Sequence, residues 1–225
     1  MLFITRYDRD SSSCQYHNLG ALARAVATNT DMVSLPVRVT SDKKLVLSAH
    51  SSIGTKQSLT HIRSSSLKQI RRAASGSEQP LVTLEETLNR LYGKTFLEIE
   101  IYEWSSVSPI VLLIKNYAKR KSDWSSLLIA SENPLLLLRV RKLAPHALLC
   151  LKHRRYPLTF ISWHPILQLS AVGFRRLHTS SIAIEAARKL DLLIYVYTIN
   201  RKKSLKNLER YGIDAIVTNT PERFT

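Results

Sequence analysis

TFLEIEIYEWSSVSPIVLLIKNYAKRKSDWSSLLIASENPLLLLRVRKLAPHALLCL, residues 95–151, changes its period four times. Thr95–Tyr102 alternates apolar and polar side chains, the period of a strand. Val107–Lys119 carries its apolar residues at helical spacing, and Ser126–Ala130 is a short apolar run bounded by polar residues. Pro134–Leu143 is a second helix, opened by a proline in its first turn, and Ala147–Leu151 is another strand-length run. Toward the C-terminus the same rhythm predicts a short helix near Pro165–Leu169, a weak strand at Phe174–Leu177 and a helix over Ser181–Leu190. A strong strand at Leu192–Thr198, a helix Ser204–Tyr211 stopped by Gly212 and a last strand Ala215–Thr218 follow.

Toward the N-terminus, Thr83 and Glu86 form a capping box that opens a helix. Its Leu84, Leu88 and Leu91 share a face, and Gly93 closes it. Met32–Thr40 alternates through Val33, Leu35, Val37 and Val39, and Lys44–Ser48 is placed to pair with it. Leu2–Thr5 reads as a strand, and Leu19, Leu22, Ala23 and Val26 make a helical stripe. The stretch Ser51–Gln79, rich in Ser and Lys with a short helix at Leu67–Arg71, reads as an excursion. About eight strands separated by helices predict a parallel sheet with helical crossovers. Eight such units in one chain fit an α/β architecture of the (β/α)8 TIM-barrel type. We expect one domain over residues 1–225, with 51–79 as its insertion-like excursion.

The chain has 225 residues, 44% of them hydrophobic, which is long and apolar enough for a sizeable core and excludes wholesale disorder. No apolar run reaches the ~20 residues that span a bilayer, and Met1–Tyr7 is too short for a signal peptide before Asp8, Arg9 and Asp10 interrupt it. Cys14 and Cys150 are too few for a disulfide framework. A cytoplasmic protein is expected. Lys and Arg number 33 against 17 Asp and Glu, a formal net charge of +16, which predicts attraction to phosphate esters, nucleic acid or an anionic lipid surface. The cations fall in scattered clusters, and none has the flanking aromatics of a base-stacking platform.

In such a barrel the chemistry sits at the C-terminal ends of the strands. Glu98 and Glu100 stand two apart on one predicted strand and therefore share a face. Paired carboxylates there suit a divalent cation held by oxygen ligands, or ion pairs with the many cations of this chain. Of the seven histidines none pair at the i, i+4 spacing of a helical zinc site. His178, next to a predicted strand end, is the best placed for acid–base work. No nucleophile elbow, Walker loop or dinucleotide fingerprint occurs.

Five segments, in order, resemble the glycerophosphodiester phosphodiesterases, barrels of the phospholipase-C-like group. Ile4-Thr5-Arg6-Tyr7 stands where that family has a His-Arg-Gly. The segment from Asp31 to His50 is similar to its second strand and following hairpin. Val82–Leu88 resembles its Pro-Thr-Leu-Glu-Glu-Val-Leu, and Leu97–Glu100 its Ile-Glu-Ile-Lys. Val196–Asn200 with Tyr211–Pro221 resembles its last two strands. The resemblance implies attack on a phosphodiester with two histidines as acid and base and three carboxylates around a divalent metal. Most of that set is replaced here. The first histidine falls on Thr5, and only the arginine, Arg6, matches. The second-strand Glu and Asp fall on Ser34 and Pro36, and the second histidine falls on Ala49. Glu98 is retained, and the lysine falls on Glu100. A one-residue shift puts His50 in the second histidine's place, although Ile53 aligns only without it.

The resulting expectation is a diverged, catalytically inactive member that binds a glycerophosphodiester or other phosphate ester through Arg6. Glu98 would then be a relic ligand or an ion-pair partner of Arg6. No cofactor is expected, or a divalent cation (Mg or Ca) if the protein is active. Two other readings stay open. One is a weakly active metal-dependent diester hydrolase using His50, Glu98 and Glu100. The other is a basic scaffold for nucleic acid or anionic lipid.

Overall fold

The computed structural model describes residues 1–6, 20, 30–55, 58–74 and 81–224. The strands are β1 (Leu2–Thr5), β2 (Met32–Val39), β3 (Leu45–Leu47), β4 (Ser52–Thr55), β5 (Ser58–His61), β6 (Phe96–Ile101), β7 (Leu127–Ser131), β8 (Leu148–His153), β9 (Ala171–Arg175), β10 (Leu193–Tyr197) and β11 (Ala215–Thr218). The helices are α1 (Leu67–Ala73), α2 (Leu84–Leu91), α3 (Trp104–Tyr117), α4 (Pro134–Leu143), α5 (Phe160–Leu167), α6 (Ser181–Lys189) and α7 (Leu205–Arg210). The expected helix around Leu19–Val26, and Cys14 with it, lie outside the described residues. No helix among those residues is long and apolar enough to cross a membrane.

Eight parallel strands close on themselves in the order β1-β2-β6-β7-β8-β9-β10-β11 and back to β1. This is the (β/α)8 barrel. The ring shuts where Ile4 faces Met32 and Thr5 faces Val33. The antiparallel β3 continues the sheet outside β2. Pro36 does not break β2, for a local reason. Its carbonyl accepts the Ser48 N–H at 2.8 Å, so its missing donor points to the same side. On that side pairing with β1 has ended at Val33 and pairing with β3 begins at Val37.

Alternation divides the apolar residues into two layers. Leu35, Leu97, Ile129, Leu149, Val172 and Ile194 face outward into the main core beneath the helices. Ile4, Leu128, Ala130, Ala171, Ala215 and Val217 fill the barrel itself. The excursion after β3 is built on a small third core, in which Val46 packs with Ile53, Ile62, Ile70 and Leu81. The capping boxes at Ser66 and Thr83 start α1 and α2.

One expected strand is displaced. The weak strand expected at Phe174–Leu177 is β9, which begins at Ala171, while Arg176–His178 forms a 3-10 turn. Ala171 and Gly173 are the inward positions of β9, and being small they give no alternation signal. Their smallness has a purpose. A Cβ on Gly173 would stand 2.6 Å from Cε2 of Tyr195, whose ring lies across it inside the barrel. Gly173→Ala is expected to cost about 1–3 kcal/mol through overpacking, read as a lower midpoint in urea. An unchanged midpoint would show that the ring is free to move aside.

Candidate functional site

The register of β1 delivers Arg6 to the barrel mouth, where its N–H donates to the Thr218 carbonyl at 2.9 Å. Its guanidinium meets two groups carried by β6 and the residue just beyond it. Nη1 lies 3.1 Å from Glu100 Oε2, and Nη2 donates to the Tyr102 hydroxyl at 2.9 Å. From across the barrel, at the end of β8, Lys152 Nζ donates to the other oxygen, Glu100 Oε1, at 2.9 Å. Glu100 is 3% exposed and Lys152 2%, so this pair is out of water. The Lys152 ammonium also sits 4.6 Å above the centre of the Tyr197 ring. Burial works against ionisation of both partners. Burial raises the Glu100 pKa, but Lys152 and Arg6 outweigh it and hold the carboxyl at about 2. Burial likewise favours loss of the Lys152 proton, and Glu100 and Glu98 reverse this, raising the pKa above the usual lysine range. A second cluster lies beside the first. Arg38 donates to Glu103 Oε1 at 2.6 Å and to the Ala49 carbonyl at 3.1 Å, with its guanidinium 4.6 Å over the Tyr102 ring.

Two residues back along β6, Glu98 is fully buried among the side chains that fill the barrel. The Tyr195 hydroxyl donates to its Oε1 and accepts from the Cys150 thiol at 3.2 Å. Its Oε2 has no hydrogen-bond partner among the described residues. Thr5 is buried, and its hydroxyl lies 2.7 Å from that of Thr30. The Ser34 hydroxyl is buried with no partner among the described residues. Ala49 is half-buried, and His50 is exposed on the chain leaving β3, its backbone N–H donating to Ser48 Oγ at 3.2 Å. His178 is half-buried in the turn after β9. The structure therefore brings Arg6 and Glu100 together, leaves Glu98 beneath them, and holds His50 at the surface. Among the described residues Arg6 pairs with Glu100, where the expectation had Glu98 as a relic ligand or as that partner.

Lys152 is the functional-site residue that composition concealed, because it reads as part of the surface cluster with Arg154 and Arg155. The signal was there: Cys150 and Lys152 alternate on one face of β8, and that face is the interior. His153, the next residue, faces the opposite way. It stacks on Phe174 with ring centroids 5.6 Å apart, packs beside Phe160, and its Nδ1 lies 3.2 Å from Thr159 Oγ1. Burial pushes its pKa down to about 4. It is a neutral packing residue turned away from the mouth.

The sequence model of the glycerophosphoryl diester phosphodiesterase family matches residues 11–223. The chain belongs to this family. A glycerophosphodiester phosphodiesterase of Caldanaerobacter subterraneus subsp. tengcongensis is 24% identical over 230 residues, covering 95% of this chain and 92% of that one. Among solved structures, a phosphodiesterase of Oleispira antarctica in complex with sn-glycerol-3-phosphate superposes with a TM-score of 0.83 at 16% identity, covering 99% of this chain and 94% of that one. The glycerophosphodiester phosphodiesterase of Thermotoga maritima gives 0.80 at 20% identity, covering 100% and 96%. At these identities the superpositions establish the fold alone.

Membership in a glycerophosphoryl diester phosphodiesterase family raises the question of a metal, and the donor set answers it. Among the described residues no three His, Cys, Asp or Glu gather into a group. Both oxygens of Glu100 are engaged by cations, and the Lys152 ammonium stands at contact distance where a ligated ion would stand. A divalent ion brought within ~4 Å of that ammonium would be repelled by about 4 kcal/mol per unit charge at an effective dielectric of 20. The described residues do not fit a divalent cation.

Lys152→Met leaves a buried carboxylate with one cation fewer. The expected loss is about 3–5 kcal/mol, measured by chemical denaturation, and Glu100→Gln in the same chain should recover part of it. His153 gives a pH signature. Its pKa is about 6.5 when unfolded and about 4 when folded, so its contribution is complete above pH 6.5 and is lost as pH falls toward 4. Between pH 7 and 5 the loss is about 2 kcal/mol, and His153→Phe should flatten that part of the stability curve.

Proposed function

We propose that this single domain binds a phosphate ester at the barrel mouth and does not hydrolyse it. The observation that carries the reading is the Lys152–Glu100–Arg6 arrangement, in which protein cations take both oxygens of Glu100, one of the two β6 carboxylates that could serve a metal. Proton transfer supports the same reading. Acid–base work on a diester needs groups that change charge near neutral pH. Thr5 and Ala49 supply none, His50 is exposed, His153 faces the helix layer, and His178 sits in the turn after β9 with no hydrogen bond to Arg6, Glu98 or Glu100 among the described residues. Arg6 is the phosphate-binding candidate, because its planar fork suits phosphate oxygens. The rim around it carries a surplus of cations from the ends of β8, β9 and β10, which favours an anion. The family and the glycerol-3-phosphate bound to the Oleispira antarctica structure favour a glycerol-based ester as the ligand. A cytoplasmic location belongs to this reading, supported by the free, buried Cys150 thiol.

One observation favours the other reading, a weak metal-dependent hydrolase with Glu98, Glu100 and His50. Glu98 Oε2 is buried and without a hydrogen-bond partner among the described residues, as a vacant ligand atom would be. The two readings separate in one assay. Purified protein is incubated with glycerophosphodiesters and an aryl phosphodiester, with Mg²⁺, Ca²⁺ or Mn²⁺ and with chelator, beside Glu98→Gln. The expected result is no turnover under any condition, together with a thermal shift on adding glycerol 3-phosphate that shrinks in Arg6→Lys. Turnover that requires both metal and Glu98 establishes the hydrolase instead.

A further inference from the structure

Residues 133–184 contain eight Lys or Arg and no Asp or Glu. This segment runs from α4 through β8, α5 and β9 into α6; Lys152 is neutralised by Glu100, and the other seven cations have no acidic residue within the segment to oppose them. Four of its cations, Arg154, Arg155, Arg175 and Arg176, sit exposed just past the C-terminal ends of the neighbouring strands β8 and β9. Among the described residues Glu132 offers the one acidic contact to this group, 3.7 Å from Arg154 at an exposed site where such a pair is worth little.

Apolar side chains stand exposed beside those arginines. Leu177 is 79% exposed directly after Arg175 and Arg176, and Ile182 is 68% exposed at the start of α6. On the β8 side Tyr156 is 73% exposed, followed by exposed Leu158 and Ile161. A lone exposed leucine needs no explanation. Five large apolar residues on two adjacent loops and their helices, set among four arginines, do need one. Folding gains nothing by leaving them in water. A cavity of about 360 Å³ opens among them, lined by Arg175, Arg176, Leu177, Tyr197 and Thr198, with room for an anionic headgroup.

We propose that this rim is a docking surface for an anionic lipid bilayer, with Leu177, Ile182 and Tyr156 entering the interface and the four arginines meeting lipid phosphates. Charge complementarity names the occupant. Anionic leaflets attract Lys and Arg near the surface, and aliphatic side chains gain by leaving water for the acyl boundary. Nucleic acid would use the arginines and the ring of Tyr156 but would leave Leu158, Ile161, Leu177 and Ile182 without a role, since bases stack on aromatic rings. The surface serves as a peripheral anchor; its arginines also belong to the positive rim of the mouth, and its test needs no phosphate ester and leaves Arg6 unchanged.

The test is co-sedimentation with vesicles of phosphatidylcholine alone and of phosphatidylcholine mixed with phosphatidylglycerol. The protein is expected to pellet with the anionic vesicles only, and less at 0.5 M salt, where the Debye length is about a few ångströms. Arg175→Ser/Arg176→Ser and Leu177→Ser/Ile182→Ser change exposed residues only, and each pair should weaken partitioning on the order of 10-fold. Failure to bind, equal binding to neutral vesicles, or full binding by the Leu177/Ile182 variant overturns the proposal. Tighter binding of a single-stranded oligonucleotide, lost with the arginines and indifferent to Leu177 and Ile182, replaces it with nucleic acid.

Discussion

Everything at the barrel mouth depends on how one carboxylate is neutralised. Glu100 comes from β6, Arg6 from the end of β1 and Lys152 from β8, so three strands distributed around the barrel converge on two oxygen atoms. In a buried setting each charge is costly by itself and tolerable only when opposed. The result is a closed electrostatic unit: two cations, one anion, and the rings of Tyr102 and Tyr197 beside them. A metal-dependent barrel keeps its ligands open toward the solvent for an ion to enter. Here the positive charge is covalently part of the chain.

Below that unit the barrel is filled by an unusual division of volume. Tyr195 supplies bulk from β10, and Gly173 gives way on β9. The hydroxyl of Tyr195 then links Glu98 to Cys150, so this carboxylate is tied into the packing of the barrel interior.

Much of the fold was legible because alternation and helical stripes come in a fixed order. The capping box at Thr83, the proline opening α4 and the strand Ala215–Thr218 all stand where their local chemistry puts them. The start of β9 was not legible, since Ala171 and Gly173 were selected for smallness by a ring on another strand. The site was half legible. That Glu98 and Glu100 share a face follows from period two. That Arg6 pairs with Glu100, and that Lys152 reaches the same carboxylate, depends on register between strands far apart in sequence, which no local pattern encodes. His153 shows the same limit in reverse. A histidine beside a strand end looks like chemistry, and one residue of phase turns it into core.

The excursion after β3 has a consequence for how the molecule comes apart. Its hairpin β4–β5 and helix α1 rest on their own small cluster around Ile53, Ile62 and Ile70, joined to the rest at Val46. A unit with a separate core and few members can open at lower free energy than the whole. Amide protons in that hairpin should therefore exchange ahead of those in the parallel strands. The protein would breathe beside β2 while the ring of strands stays shut.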